Sequence, residues 1–217
     1  INYLLKYRSE IHQIYKGTLK FKDADGYYHW ALDQNGLLDD TLVTSSCSLE
    51  LSRRAYNKIC KLIQDEDFID RDEIISENKL NSNKFDRGGI DRSRFSMDSY
   101  YPILCESGTK EDAIKTLNKF YVSGLGIKCV EEEPWVTFAE SSECIMALYK
   151  IGLKKEAKKI FDEVMKHRNS KGYFSTGYQY ELRVYWPEED STWTNAAVIM
   201  AADCIHDITG KEKVILI

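Results

Sequence analysis

Three stretches of the chain place an aromatic residue, a Ser or Thr and a carboxylate at the start of a helix rich in small residues. They are Phe95-Ser96-Met97-Asp98, Trp135-Val136-Thr137-Phe138-Ala139-Glu140, and Trp186-Pro187-Glu188-Glu189-Asp190-Ser191-Thr192-Trp193. Aromatic faces stack on sugar rings, while carboxylates accept hydrogen bonds from sugar hydroxyls or supply acid and base for glycoside cleavage. The residue types therefore point to a mouth lined by aromatics and acids, with Asp98, Glu140, Glu188 and Glu189 as candidate catalytic groups.

Asp98 sits among Phe95, Tyr100 and Tyr101, with Arg92 and Arg94 just before it. A carboxylate in a first helical turn gains from the helix dipole and can face a cavity as a general base or sugar ligand. The plainer reading makes Asp98 a helix cap paired with Arg94. Glu140 and Glu143 are three residues apart and project from one side of a helix, behind Trp135 and Thr137. Thr137 and Glu140 also spell a capping box, which is the structural alternative for that acid. The loop from Trp186 to Trp193 holds three acids between two tryptophans and is the densest candidate, although Asp190 or Ser191 could simply cap the next helix. His29 and Trp30, with Tyr27 and Tyr28, would line the same mouth if the connecting loops open on one side. The candidate substrate-binding set is thus His29, Trp30, Arg94, Tyr100, Tyr101, Trp135, Glu143, Trp186 and Trp193.

No metal or other cofactor is expected. The six cysteines, Cys47, Cys60, Cys105, Cys129, Cys144 and Cys204, lack the short paired spacing of a zinc site. The cluster Asp203-Cys204-Ile205-His206 lies late on a helix, with side chains pointing in different directions. Cysteines inside helices read as small buried hydrophobes of a reducing compartment, so a cytoplasmic location is the default expectation. A net charge of −5 without a Lys/Arg stripe argues against nucleic acid as a partner. No segment has the apolar length of a membrane span, and the first residues do not read as a signal peptide. The expected partner is a small-molecule substrate, a carbohydrate.

Positioning these groups falls to helices. Charged residues make up 30% of the 217 and hydrophobic ones 43%, as in an ordinary globular chain with one core. Leu153 to Arg168 carries an apolar stripe through Leu153, Ala157, Ile160, Phe161 and Val164, and Asp112 to Val122 does the same through Ala113, Ile114, Leu117 and Phe120. These predict outer helices. Leu42 to Ile63, Met97 to Cys105, Thr137 to Ile151 and Thr192 to Ile208 have small polar residues instead, which let helices converge closely and predict inner helices. Gly-containing turns separate the two kinds, and the inner helices recur every 40 to 55 residues or so, the period of helix-pair repeats.

In this order the chain resembles the (α/α) toroids of six-hairpin glycosidases and of the terpenoid cyclase/protein prenyltransferase group. The stretches Arg94–Leu104, Gly124–Val130, Pro134–Glu140, Trp186–Glu189 and Thr192–Thr194 are similar to bacterial proteins commonly labelled "prenyltransferase". The resemblance implies an all-α (α/α) toroid of helical hairpins. About four of the six hairpins are legible, so the expectation is a single domain over 1–217 forming the C-terminal two-thirds of a longer family member. A start at Ile rather than Met agrees with a fragment. An incomplete ring leaves three outcomes: it stays open, closes against a second copy as a homodimer, or results from truncation.

Three functions are weighed on this basis. A glycoside hydrolase-like or carbohydrate-binding protein fits the acidic, aromatic mouth best. An isoprenoid enzyme would want an Asp-rich motif in an aromatic cavity, for which Asp23-x-Asp25 and Asp39-Asp40 are poor versions. A non-catalytic helical scaffold needs only a flat partner surface.

Overall fold

A computed structural model describes residues 1–29, 31–69, 91–189 and 191–210 of the chain. The fold divides into two compact units, Ile1–Asp91 and Arg92–Leu216.

In the first unit, α1 (Asn2–Lys6) and α2 (Arg8–Leu19) precede a short hairpin of β1 (Leu32–Asp33) and β2 (Gly36–Leu37), followed by α3 (Val43–Leu62) and a 3-10 turn at Glu66–Phe68. In one core cluster Tyr15 stacks on Tyr56 at 3.8 Å beside buried Cys60, and Tyr28, Leu42, Val43 and Cys47 are buried as well. A buried polar tether supplements it. His12 bonds Asp65 through Nε2 at 2.9 Å and Tyr56 through Nδ1 at 2.9 Å, and its ring stacks on Phe68.

The second unit carries the three acid–aromatic stretches. A 3-10 turn at Arg92–Arg94 leads into α4 (Ser96–Leu104) and α5 (Lys110–Phe120). Then come β3 (Tyr121–Val122), β4 (Gly126–Lys128), β5 (Trp135–Thr137), α6 (Phe138–Lys150), α7 (Lys154–Val164), β6 (Gly177–Gln179), β7 (Val184–Tyr185) and α8 (Thr192–His206). The five strands form one antiparallel sheet in the order β3-β4-β5-β6-β7. Helix α6 is the centre: it packs against α4, α7 and α8, and Phe138, Ala139, Ile145, Ala147 and Leu148 on it are fully buried. Such all-round burial explains its small and apolar composition.

The all-α toroid expectation is overturned. Among the described residues, two antiparallel sheets accompany eight α-helices, so the chain is mixed α/β. The strands are only two or three residues long, too short to write a period-two pattern. The predicted helices themselves do form, within a residue or two of the expected ends, except that the one expected to reach Arg168 stops at Val164 and passes into a 3-10 turn at Met165–His167. Two glycines let the sheet close on its surroundings. A Cβ on Gly126, at φ +137°, would meet Ser141 Oγ at 2.6 Å; one on Gly177 would meet Trp135 Nε1 and Val136 O, each at 2.5 Å.

Candidate functional site

The acids of the second unit fall into two regions. The first lies at the starts of α4 and α6. Ser96 N donates to Cys129 O at 3.0 Å, which pins the start of α4 beside the strand leaving β4. Asp98, in the first turn, takes a bidentate pair from Arg92, with Nε at 2.8 Å and Nη2 at 3.0 Å. The Arg92 guanidinium also stacks over Phe95 at 4.3 Å. Burial pushes the Asp98 carboxyl above its ordinary range, and Arg92 pulls it partly back.

On α6, Glu140 is buried and accepts a long bond of 3.5 Å from Cys129 Sγ. One turn on, Glu143 accepts Tyr100 Oη at 2.5 Å and Tyr101 Oη at 3.1 Å. Burial raises the Glu143 carboxyl, the neighbouring Glu140 charge adds to the rise, and the two phenols oppose it. The same carboxylate and burial lift the Tyr100 phenol well above its ordinary value. The region thus holds a carboxylate–phenol cluster of Glu143, Tyr100 and Tyr101 with Glu140 one turn away, and a separate ion pair of Asp98 with Arg92.

Two expected contacts are not made there. Asp98 pairs with Arg92, not with Arg94, which instead meets Glu132 near the surface. Thr137 and Glu140 form no capping box: Thr137 is the N-cap of α6, yet its buried Oγ1 has no hydrogen-bond partner among the described residues. Ser96 and Thr194, which open α4 and α8, carry unpartnered buried hydroxyls in the same way. A complete capping box occurs at Thr109 and Asp112, ahead of α5.

The second region is a cleft of about 500 Å³ lined by Ser175, Arg183, Val184, Tyr185, Glu188 and Glu189. Phe174, next to the lining residue Ser175, is tied to α8, because Asn195 bonds both its N–H and its carbonyl at 3.0 Å. Thr176 Oγ1 donates to Glu189 at 3.0 Å. The side chains of Arg183 and Glu188 make no hydrogen bond or ion pair among the described residues. Arg183 takes a left-handed φ of 58°, a conformation that costs a non-glycine residue energy and often accompanies a working site. Trp186 follows Tyr185 and is 58% exposed; Trp135 donates its indole N–H to Trp186 O at 3.1 Å and packs edge-on against that ring.

Of the expected binding residues, Trp186 adjoins the lining residue Tyr185 in sequence and holds Trp135 against it, but neither tryptophan lines the cleft. Trp193 is 52% exposed on the first turn of α8 and is not one of the residues lining it. His29 belongs to the first unit, where its Nε2 meets Asp23 at 2.8 Å and its Nδ1 meets Leu38 O. Trp30 lies outside the described residues. Ser175, Arg183 and Tyr185 escaped the sequence reading. The run Gly172-Tyr173-Phe174, which repeats the Gly-Tyr-aromatic order of Gly26-Tyr27-Tyr28, is the available signal for Ser175; Arg183 and Tyr185 fall in a hairpin too short to announce itself. Among the described residues no group of three or more His, Cys, Asp or Glu could hold a metal ion, and no helix is long and apolar enough to cross a membrane.

No family model matches the chain. The chain is 40% identical to a protein of Mycolicibacterium hassiacum named MMP endo-(1,4)-3-O-methyl-alpha-D-mannosidase, over an alignment of 124 positions that takes in 55% of this chain and 34% of that relative. It therefore spans about a third of the relative's length. The relative's name is that of a glycosidase, in line with the glycosidase side of the expected resemblance; the prenyltransferase label gains nothing from it.

Proposed function

We propose that this chain carries a carbohydrate site of glycoside hydrolase-like character, with the saccharide seated in the cleft bounded by Tyr185, Glu188 and Glu189. The observation that carries the reading is the conjunction, in one open cleft, of two accessible carboxylates and an aromatic ring, beside the exposed indole of Trp186. Rings of this kind cover the apolar face of a pyranose, and carboxylates accept hydrogen bonds from its hydroxyls. Glu188, which no described side chain engages, is the acid free to act on a bound glycoside, while Thr176 holds Glu189 for binding. An isoprenoid tail would want an apolar cavity, whereas three of the six lining side chains are charged. The relative's name suggests an α-1,4-linked mannoside, with or without 3-O-methyl groups, as the substrate.

Glycoside hydrolysis needs a carboxylic acid to protonate the leaving oxygen and a carboxylate to activate water or attack the sugar. In this reading Glu188 and Glu189 touch the sugar, whereas Asp98 and Glu140 are engaged by Arg92 and Cys129 and do not line the cleft. The test is a thermal-shift and calorimetric titration of the chain with α-1,4-linked mannotetraose, with cellotetraose and farnesyl diphosphate as comparisons. The mannoside should raise the melting temperature in a concentration-dependent way. No response to any saccharide at millimolar concentration, or a response to farnesyl diphosphate alone, would overturn the reading.

A further inference from the structure

The geometry points to His167 as a positioning residue of the cleft, one that holds Tyr185 by its hydroxyl so that the phenol oxygen faces a bound sugar as an acceptor. This rests on the carbohydrate reading of the cleft. His167 closes the 3-10 turn Met165–His167 that follows α7, and its Nδ1 lies 3.1 Å from Tyr185 Oη. The imidazole is wedged in an aromatic cage. Phe138 on α6 is 5.0 Å away, Tyr178 on β6 is 5.3 Å, and Tyr185 on β7 is 5.9 Å and edge-on. Phe138 is fully buried, so one wall of the cage is the core itself.

Tyr185 has one side in this cage and the other on the cleft, and it is 42% exposed. A tyrosine so placed could turn its hydroxyl hydrogen either way. Burial and the nearby Lys166 charge both hold His167 below its ordinary value, which favours the neutral ring at neutral pH. A neutral imidazole has one bare nitrogen, and we assign it to Nδ1. Tyr185 then donates inward to His167, and its oxygen lone pairs are left for a sugar hydroxyl. The aromatic contact with Tyr178, at 5.0 Å, keeps the ring plane fixed while this happens.

The arrangement predicts a specific coupling. His167→Phe keeps an aromatic ring in the cage and removes the acceptor; Tyr185→Phe removes the donor. Each should weaken mannotetraose binding about 3- to 10-fold, the range of one neutral hydrogen bond, and the double variant should lose little more than either alone. His167→Asn, whose amide oxygen can stand where Nδ1 stood, should recover most of the affinity. Independently of any sugar, long-range proton–nitrogen NMR of the chain should find His167 Nδ1 unprotonated at neutral pH, with a shift that moves in Tyr185→Phe.

A protonated Nδ1, an Nδ1 signal indifferent to Tyr185→Phe, or wild-type affinity in His167→Phe overturns the inference and leaves the carbohydrate site standing. Losses that add in the double variant do the same. A wild-type chain that binds no saccharide overturns both, and the NMR result then separates an intact His167–Tyr185 contact from a failed one.

Discussion

Asp98, Glu140 and Glu143 on one side and Glu188 and Glu189 on the other are all acids beside aromatic rings at helix starts, yet they live under opposite physical conditions. The first three are enclosed. Arg92 clasps Asp98, Cys129 reaches Glu140, and two tyrosines donate to Glu143. The second pair stands on an open cleft, with Thr176 on Glu189 and Glu188 unengaged by any described side chain. Burial tunes the proton affinity of a carboxyl and ties the group to the fold; exposure leaves it free for a ligand. The two regions therefore differ in what removing an acid, or its partner, does to the protein.

The largest expected effect is at the enclosed ion pair. Arg92→Ala leaves the Asp98 carboxylate buried without its cation, and breaking a pair of this kind costs about 3 to 5 kcal/mol. Thermal and urea unfolding should register that loss. A drop below about 1 kcal/mol would mean that water reaches Asp98 and that the first region is less closed than its geometry indicates.

A smaller, pH-dependent effect belongs to Glu143. Its carboxyl is held above the ordinary 4.5, so the folded state binds its proton more tightly than the unfolded chain does. The stability contributed by that proton is present below about pH 4.5 and lost as pH rises through the raised folded value. Glu143→Gln keeps an acceptor for the tyrosines and removes the titration. Its melting temperature should therefore fall less than that of the wild type between mildly acidic and neutral pH. Parallel curves for the two proteins would place the source of the pH dependence elsewhere.

How much of this was legible follows from the lengths over which each signal is written. The apolar stripe of α7 runs through Leu153, Ala157, Ile160 and Val164, three helical turns of repeated evidence, and the helix forms at Lys154–Val164. The small-residue run of α6 was equally plain, because a helix packed on several sides tolerates few long side chains. Strands β3 to β7 have two or three residues each, and Tyr178 pairing with Val136 is a long-range fact with no local trace. Missing them turned a mixed fold into an all-α ring.

The site divides in the same way. The acids and tryptophans are visible because the same grouping of aromatic, hydroxyl and carboxylate recurs ahead of three small-residue helices. Which arginine serves Asp98 was not, since Arg92 and Arg94 differ only in how the 3-10 turn aims them. The Thr-x-x-Glu sequence at Thr137 promises a capping box that does not form, and Glu140 instead meets Cys129 Sγ. Tyr185 and His167 meet across 18 residues, on elements whose juxtaposition depends on the unseen sheet.

The smallest expected effect on stability carries the largest expected effect on binding, and it tests the central claim most directly. The double variant Glu188→Gln and Glu189→Gln should melt within about 0.5 kcal/mol of the wild type, as surface substitutions do. In the same samples, calorimetric titration with α-1,4-linked mannotetraose should show binding lost or weakened at least about 10-fold, in keeping with the loss of charge-assisted hydrogen bonds. Unchanged affinity in a stably folded double variant would contradict the account, and would move the search for the sugar to the enclosed acids around Glu143.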